Sequence, residues 1–204
     1  MISRSRIIGT GGYVPARIVT NEELAGLTGV APAAIYRRTG IRERRWAAPD
    51  EATSDLALCA AKGALDAAGT PAASLDAIIL STTSPDTPMP SAACHVQRRL
   101  GAKRAFAFDL AASCSGFLYA LSVGDLMIRM GQARRVLVAA AETKSRYLNF
   151  KDGHTAILFG DGAGAAVLSA GDERHGVLSV GLHADGSRAD LITIPAGGSR
   201  LPAS

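Results

Sequence analysis

One cysteine stands where acyl chemistry is possible. Residues 106–121 read Phe-Ala-Phe-Asp-Leu-Ala-Ala-Ser-Cys-Ser-Gly-Phe-Leu-Tyr-Ala-Leu, with Cys114 between two patterns. Before it, the apolar stretch 106–110 predicts a strand, followed by a turn of small residues. After it, Phe117, Leu118, Leu121, Leu126 and Met130 recur at near-helical spacing. A thiol at that junction sits at a helix N-terminus, where unpaired backbone N–H groups and the positive end of the helix dipole favour thiolate over thiol. A thiolate so placed is a nucleophile toward acyl groups. Free cysteines are more often small buried apolar residues, and the strand–turn–helix context is what separates Cys114 from that class. Cys94 lies in the first turns of another predicted helix but follows an irregular loop, so it ranks second. Cys59, flanked by Leu56 and Leu58, is expected to pack.

A thiol nucleophile needs a group that carries protons. His95, His154, His175 and His183 are the candidates, and none lies in a context that marks a base. Surface or turn roles are expected for all four. The acid–base partner is therefore one of them or lies outside this chain.

The glycine-rich stretches do not point to a nucleotide. Gly9-Thr-Gly-Gly-Tyr-Val-Pro15 lacks a helix opening inside its glycines, and Gly160-Asp-Gly-Ala-Gly164 lacks the Lys-Ser/Thr of a P-loop. Tight turns or close backbone packing explain both.

The elements that would position Cys114 are legible from spacing. Strands are expected at residues 6–9, 75–82, 106–110 and 135–141. Helices are expected at 20–28, from a Thr20-Asn-Glu-Glu23 capping box; from Ala31-Pro32; from Thr53 or Ser54 to Gly69; at 91–100; and after Cys114. Residues 155–159 and 163–169 read as two strands joined by Gly160-Asp-Gly162, and residues 177–183 and 191–194 as another pair. This order predicts an α/β fold, a mostly parallel sheet with an antiparallel addition and helices on its faces. A new βαβ half opens near Val177 and nothing after Pro202 completes it, which predicts a fragment, one part of a split protein, or a shortened chain.

Composition narrows the class. The 204 residues are 48% hydrophobic and only 5% aromatic, which suits a core of small side chains. Three widely spaced cysteines without a CxxC pair argue against a disulfide framework or a zinc site and predict a reducing cytoplasm. No apolar run is long enough to span a bilayer, and the N-terminus lacks the core of a signal peptide. The formal charge of +4 is mostly arginine, in clusters at 37–38, 42–45, 98–99 and 134–135. Those clusters are either solvated surface or a landing site for an acidic partner. Nucleic acid is disfavoured because aromatics do not interleave with the basic residues.

Six runs together resemble β-ketoacyl-acyl-carrier-protein synthase III, a branch of the thiolase-like condensing enzymes. They are Ile7-Ile-Gly-Thr-Gly-Gly-Tyr-Val-Pro15, Arg38-Thr-Gly-Ile-Arg-Glu-Arg44, Pro90-Ser-Ala-Ala-Cys94, Phe108-Asp-Leu-Ala-Ala-Ser-Cys-Ser-Gly-Phe117, Ile157-Leu-Phe-Gly-Asp-Gly-Ala-Gly-Ala-Ala-Val-Leu168 and His183-Ala-Asp-Gly-Ser187. The resemblance implies a duplicated thiolase-like fold. Residues 1–172 would be the half that carries the nucleophile, and residues 173–204 the start of a largely missing second half. It implies a homodimer with the strand at 106–110 at its interface, and Cys114 as the acyl acceptor. It also implies decarboxylative condensation with malonyl-acyl-carrier protein in fatty-acid or polyketide biosynthesis. Arg38 and Met89 fall on substrate-binding positions, Met89 reaching the partner's acyl pocket. No cofactor is implied, since acyl-coenzyme A or acyl-carrier protein is a substrate.

Three departures from the family pattern matter. The family's catalytic His and Asn, and a glycine loop that helps form its oxyanion hole, belong to the second half. Its adenine-stacking tryptophan falls at Ala34, and the arginine on the other adenine face falls at Gly153, while Arg38 is retained. Losing both faces removes stacking and cation–π contacts, which predicts a carrier-protein donor or a different seat for coenzyme A. An ester- or amide-forming acyltransferase shares the scaffold. A non-catalytic subunit that pairs with a C-terminal partner chain is the reading from another class.

Overall fold

The computed structural model describes residues 4–171 and 175–202. Seven strands and six helices precede residue 171: β1 (Ser5–Tyr13), β2 (Arg17–Thr20), α1 (Asn21–Thr28), α2 (Pro32–Thr39), β3 (Glu43–Trp46), α3 (Thr53–Ala67), β4 (Ala77–Ser81), α4 (Ala92–Leu100), β5 (Phe106–Leu110), α5 (Gly116–Arg129), β6 (Arg135–Thr143), α6 (Gly153–Ala156) and β7 (Asp161–Ala170). The main sheet runs β1-β7-β6-β4-β5. β4 pairs in parallel with β5 and β6, while β7 pairs antiparallel with β6 and β1. This is the mixed sheet flanked by helices that the alternation of patterns predicts.

Side-chain alternation along the strands divides the core in two. Ile78, Leu80, Leu137 and Val167 point toward α3 and α4. Ala77, Ile79, Val136, Val138 and Leu168 point toward α5. β1 meets α3 through glycine: a Cβ at Gly9 would lie 2.4 Å from the Ala64 carbonyl oxygen, and one at Gly11 only 2.3 Å from that of Ala60. The strand and helix backbones therefore touch directly.

A smaller lobe pairs β2 with β3 and packs α1 and α2 around Val19, Leu24, Ile35, Trp46 and Ile157. The Arg44 side chain runs through it, 6% exposed. Its guanidinium donates to the Val19 carbonyl at 3.3 Å and to Asn21 Oδ1 at 2.9 Å. Burial pushes the Arg44 pKa down from its ordinary value.

The helix signals hold in part. Thr20 accepts from Glu23 N at 3.3 Å, Pro32 opens α2, and Gly69 follows α3 at φ 55°. α3 is entered from Ala52 rather than capped by Thr53 or Ser54, with Asp55 Oδ2 taking the Ala52 N–H at 2.7 Å. The hydroxyls of Thr53 and Ser54 go elsewhere, to the Ser84 carbonyl and to Asp86.

Three expected strands do not form. Residues 155–159 begin in α6, because Asp152 accepts from His154 N, Thr155 N and Thr155 Oγ1 and caps a helical turn instead. Residues 177–183 have a strand's alternation, but beyond Val177 N to the Ser5 carbonyl at 2.8 Å their backbone meets no ladder. Residues 186–191 form a 3₁₀ turn that runs into 191–194. The domain boundary expected at 172/173 lies outside the described residues. β2 and β3 went unpredicted: each is only four residues long, and arginine takes one position of β2 and two of β3.

Gly11→Ala should lower stability by about 3 kcal/mol, because its Cβ meets rigid backbone. Gly12→Ala should be nearly neutral, its nearest neighbour being 3.7 Å away. Urea unfolding of the two variants measures the contrast. Tyr13 gives a second test. Its hydroxyl donates to Glu51 Oε1 at 2.7 Å, and that bond, then burial and the Glu51 charge, raise its pKa to about 12. The neutral phenol is the favoured form, so the stabilisation is complete below the ordinary value of 10 and is lost as pH rises from there through 12. Absorbance titration should show one late tyrosine, and Glu51→Gln should bring it back toward 10.

Candidate active site around Cys114

The site lies beyond the ends of β4 and β5, beside β6, which runs on to Thr143. Ser81 of β4 stands in register with Leu110 of β5 and Ala140 of β6, and Thr82 N donates to the Leu110 carbonyl at 3.1 Å. In open α/β sheets, ligands bind beyond the carboxyl ends of the strands. The chain leaves β5, turns at Ala111 and Ala112, and passes through a 3₁₀ turn, Ser113–Ser115, into α5. Cys114 lies in that turn and is exposed. The thiol is thus presented to solvent rather than packed into the core.

Two features make the turn tight. Ser113 has φ 48°, a left-handed conformation that a non-glycine residue adopts at a cost of about 1 kcal/mol or more. Gly116, buried, lies against β4 so closely that a Cβ there would fall 1.8 Å from Ser81 Oγ. The helix after Cys114 therefore starts hard against the sheet, and only glycine permits that.

Carboxylates tie down the surrounding loops. Asp109 accepts from Ala92 N at 2.7 Å and Ala93 N at 2.8 Å, so β5 itself caps α4. Glu142, near the end of β6, accepts from Thr83 N at 2.9 Å, Thr83 Oγ1 at 3.0 Å and Ser84 Oγ. Asp161 accepts from Ala47 N at 2.7 Å, Ser145 N at 2.8 Å and Ser145 Oγ at 2.5 Å. No sequence pattern singles out Glu142 or Ser81. Asp109 lay in the nucleophile run and Asp161 between two glycines, but neither spacing announces a loop anchor.

Among the other residues singled out, Met89 is 85% exposed in the loop before α4. Arg38 is exposed in the last turn of α2 and takes part in no ion pair among the described residues. Among the described residues neither is hydrogen-bonded to Cys114. Ala34 sits half-buried on α2. Gly153 is pressed against the stretch after α1: a Cβ there would lie 2.7 Å from Val30 Cγ2 and 3.3 Å from the Thr28 carbonyl oxygen. Among the described residues no histidine bonds Cys114. His154 donates its backbone N–H to Asp152, and the His183 carbonyl accepts from Tyr119 Oη at 3.2 Å. No described group of His, Cys, Asp and Glu could hold a metal ion, and no described helix is long and apolar enough to cross a membrane.

Gly116→Ala should destabilise by about 3 kcal/mol, and Ser81→Ala in the same chain should recover part of the loss, since the worst contact is the hydroxyl. Ser113→Gly should stabilise the fold by under about 1 kcal/mol, read as a small rise in the urea midpoint, because relief of strain is offset by glycine's larger unfolded-state entropy. A double-mutant cycle at 81 and 116 without coupling would contradict this packing.

Residues 108–186 match the family model of 3-oxoacyl-[acyl-carrier-protein (ACP)] synthase III. Over all 204 residues the chain is 48% identical to a beta-ketoacyl-[acyl-carrier-protein] synthase III of Roseiflexus sp. (strain RS-1), covering 62% of that protein. The crystal structure of 3-oxoacyl-(acyl carrier protein) synthase III from Pseudomonas aeruginosa PAO1 superposes with a TM-score of 0.91 at 39% identity, over 97% of this chain and 60% of that one. A priming beta-ketosynthase from the R1128 polyketide pathway superposes with a TM-score of 0.80 at 38% identity, over 84% of this chain and 52% of that one. The chain spans about three fifths of the length of the curated relatives it matches.

Proposed function

Because the chain belongs to the 3-oxoacyl-[acyl-carrier-protein] synthase III family, we propose that Cys114 is the acyl-accepting nucleophile of a condensing acyltransferase. The observation that carries this is an exposed thiol in a strained turn entering a 14-residue helix. The thiolate sulfur attacks the carbonyl carbon of an acyl thioester. The tetrahedral oxyanion collapses, the carrier thiolate leaves and takes a proton, and the acyl group stays on Cys114. Malonyl-acyl-carrier protein then loses carbon dioxide. The resulting carbanion attacks the acyl-enzyme carbonyl, a carbon–carbon bond forms, and Cys114 is released.

Residues 1–172 are assigned to the half that bears the nucleophile and 173–204 to the opening of the second half, where the resemblance puts the acid–base groups. Fatty-acid synthesis is the primary assignment, and priming of a polyketide chain is the variant favoured by the 38% identity to the R1128 enzyme. A second copy of the chain is the proposed partner along β5. That strand ends the sheet, and its Phe106 is 48% exposed and stacked on Phe108. Three free thiols favour a cytoplasmic location.

The donor is assigned to an acyl-carrier protein. Ala34 offers no ring for adenine stacking, and Gly153 is packed against Val30 with no room for a side chain. Met89 is assigned to the acyl pocket of the partner copy, and Arg38 to an anionic group of the carrier arm.

Incubation of the full-length protein with a labelled acyl-carrier donor should add one acyl mass at Cys114, and Cys114→Ala should abolish it. Label that persists in the variant overturns the assignment. In steady state, kcat/KM for acyl-carrier donors should exceed that for acyl-coenzyme A by at least about tenfold, which is 1.4 kcal/mol of differential binding. A preference for coenzyme A would refute the donor assignment alone.

A further inference from the structure

Ser81 and Thr82 grip the Cys114 turn from both sides. Thr82 N bonds the Leu110 carbonyl four residues before the cysteine, and Ser81 Oγ lies against Gly116 two residues after it. The next two residues, Thr83 and Ser84, carry four donors: three converge on one carboxylate, Glu142, and the fourth, Ser84 N–H, bonds Thr82 Oγ1 at 3.1 Å. Ser84 Oγ also receives Thr143 N at 3.0 Å, and the Ser84 carbonyl accepts from Thr53 Oγ1, whose oxygen lies 2.9 Å from Thr143 Oγ1. Thr53, Thr82, Ser84 and Thr143 are all at most 4% exposed. A buried polar network of this kind holds one geometry only while every member is satisfied. Lys144 Nζ lies 3.2 Å from Glu142 Oε2 and also reaches Thr83 Oγ1. The ionisable groups of the network are therefore Glu142 and Lys144, with Asp86 on Ser54 and Asp109 on α4 at its margins.

We propose that Glu142 is a positioning residue for the Cys114 thiol. It fixes Thr83 and Ser84, and through Ser81 and Thr82 it fixes the turn that aims the sulfur beyond the strand ends. The proposal rests on Cys114 as the nucleophile, but its test does not need acyl transfer.

The probe is iodoacetamide, with alkylation read peptide by peptide in the full-length protein. Cys59 on α3, exposed and outside the network, is the internal reference. In Glu142→Gln the turn loses the loop contacts that hold it in place. Cys114 should then react about fivefold more slowly than in the native protein at pH 7.5, while Cys59 is unchanged. Loss of the Glu142 charge alone acts in the opposite direction, since an unpaired Lys144 favours the thiolate and speeds the reaction. Thr83→Val removes a relay donor without changing charge, and should slow Cys114 as well, by about twofold. A role confined to stability would lower the urea midpoint of both variants while leaving the Cys114-to-Cys59 rate ratio at its native value, and that result overturns the proposal. A faster Cys114 in Glu142→Gln overturns it too. If acyl labelling survives Cys114→Ala while these rates behave as stated, the nucleophile assignment fails and the positioning network stands.

Discussion

The approach of α5 to β4 at Gly116 is the constraint from which the site follows. A helix that begins directly on the sheet must turn sharply out of β5, and the residue at the top of that turn is held out in solvent. Ser113 takes a left-handed backbone to make the turn possible, and Ser81 Oγ fills the space a side chain at 116 would need. Such strain persists only where the surroundings over-determine it. Here they do: the two flanking apolar cores lock β4, β5 and β6 in parallel register, so the ends of β4 and β5 cannot move apart.

The polar side of the site obeys the same logic. The loops at the strand ends have no ladder of their own, and their buried N–H and hydroxyl groups need acceptors. Asp109, Glu142 and Asp161 supply them, each from a strand of the main sheet. A carboxylate offers about four acceptor positions, so one residue on a rigid strand can hold a loop at two or three points. The rigid element thereby passes its precision to the flexible one.

Much of this was legible in the sequence. Apolar runs and caps located β4, β5, α1, α2 and α4 to within a residue or two, because burial of one face and satisfaction of helix ends are local demands. The Cys114 context was readable for the same reason, since strand, small residues and helix follow one another without interruption. The failures share a cause. Residues 177–183 have a strand's pattern and no neighbour to pair with, and residues 155–159 were claimed by Asp152, whose side chain bonds the backbone just ahead of it. β2 and β3 hide behind arginines that point outward or, at Arg44, into an apolar lobe where a charge is not expected.

Composition and spacing by themselves determined the class of fold and most of the elements of its main sheet, because each depends on residues near one another along the chain. Tertiary structure alone decided that Gly116 must be glycine, that Glu142 anchors the loop beside Cys114, and that Gly153 is closed against Val30. Those facts belong to contacts between residues 35 to 123 positions apart, and no local pattern records which distant atom will occupy the space beside a given backbone.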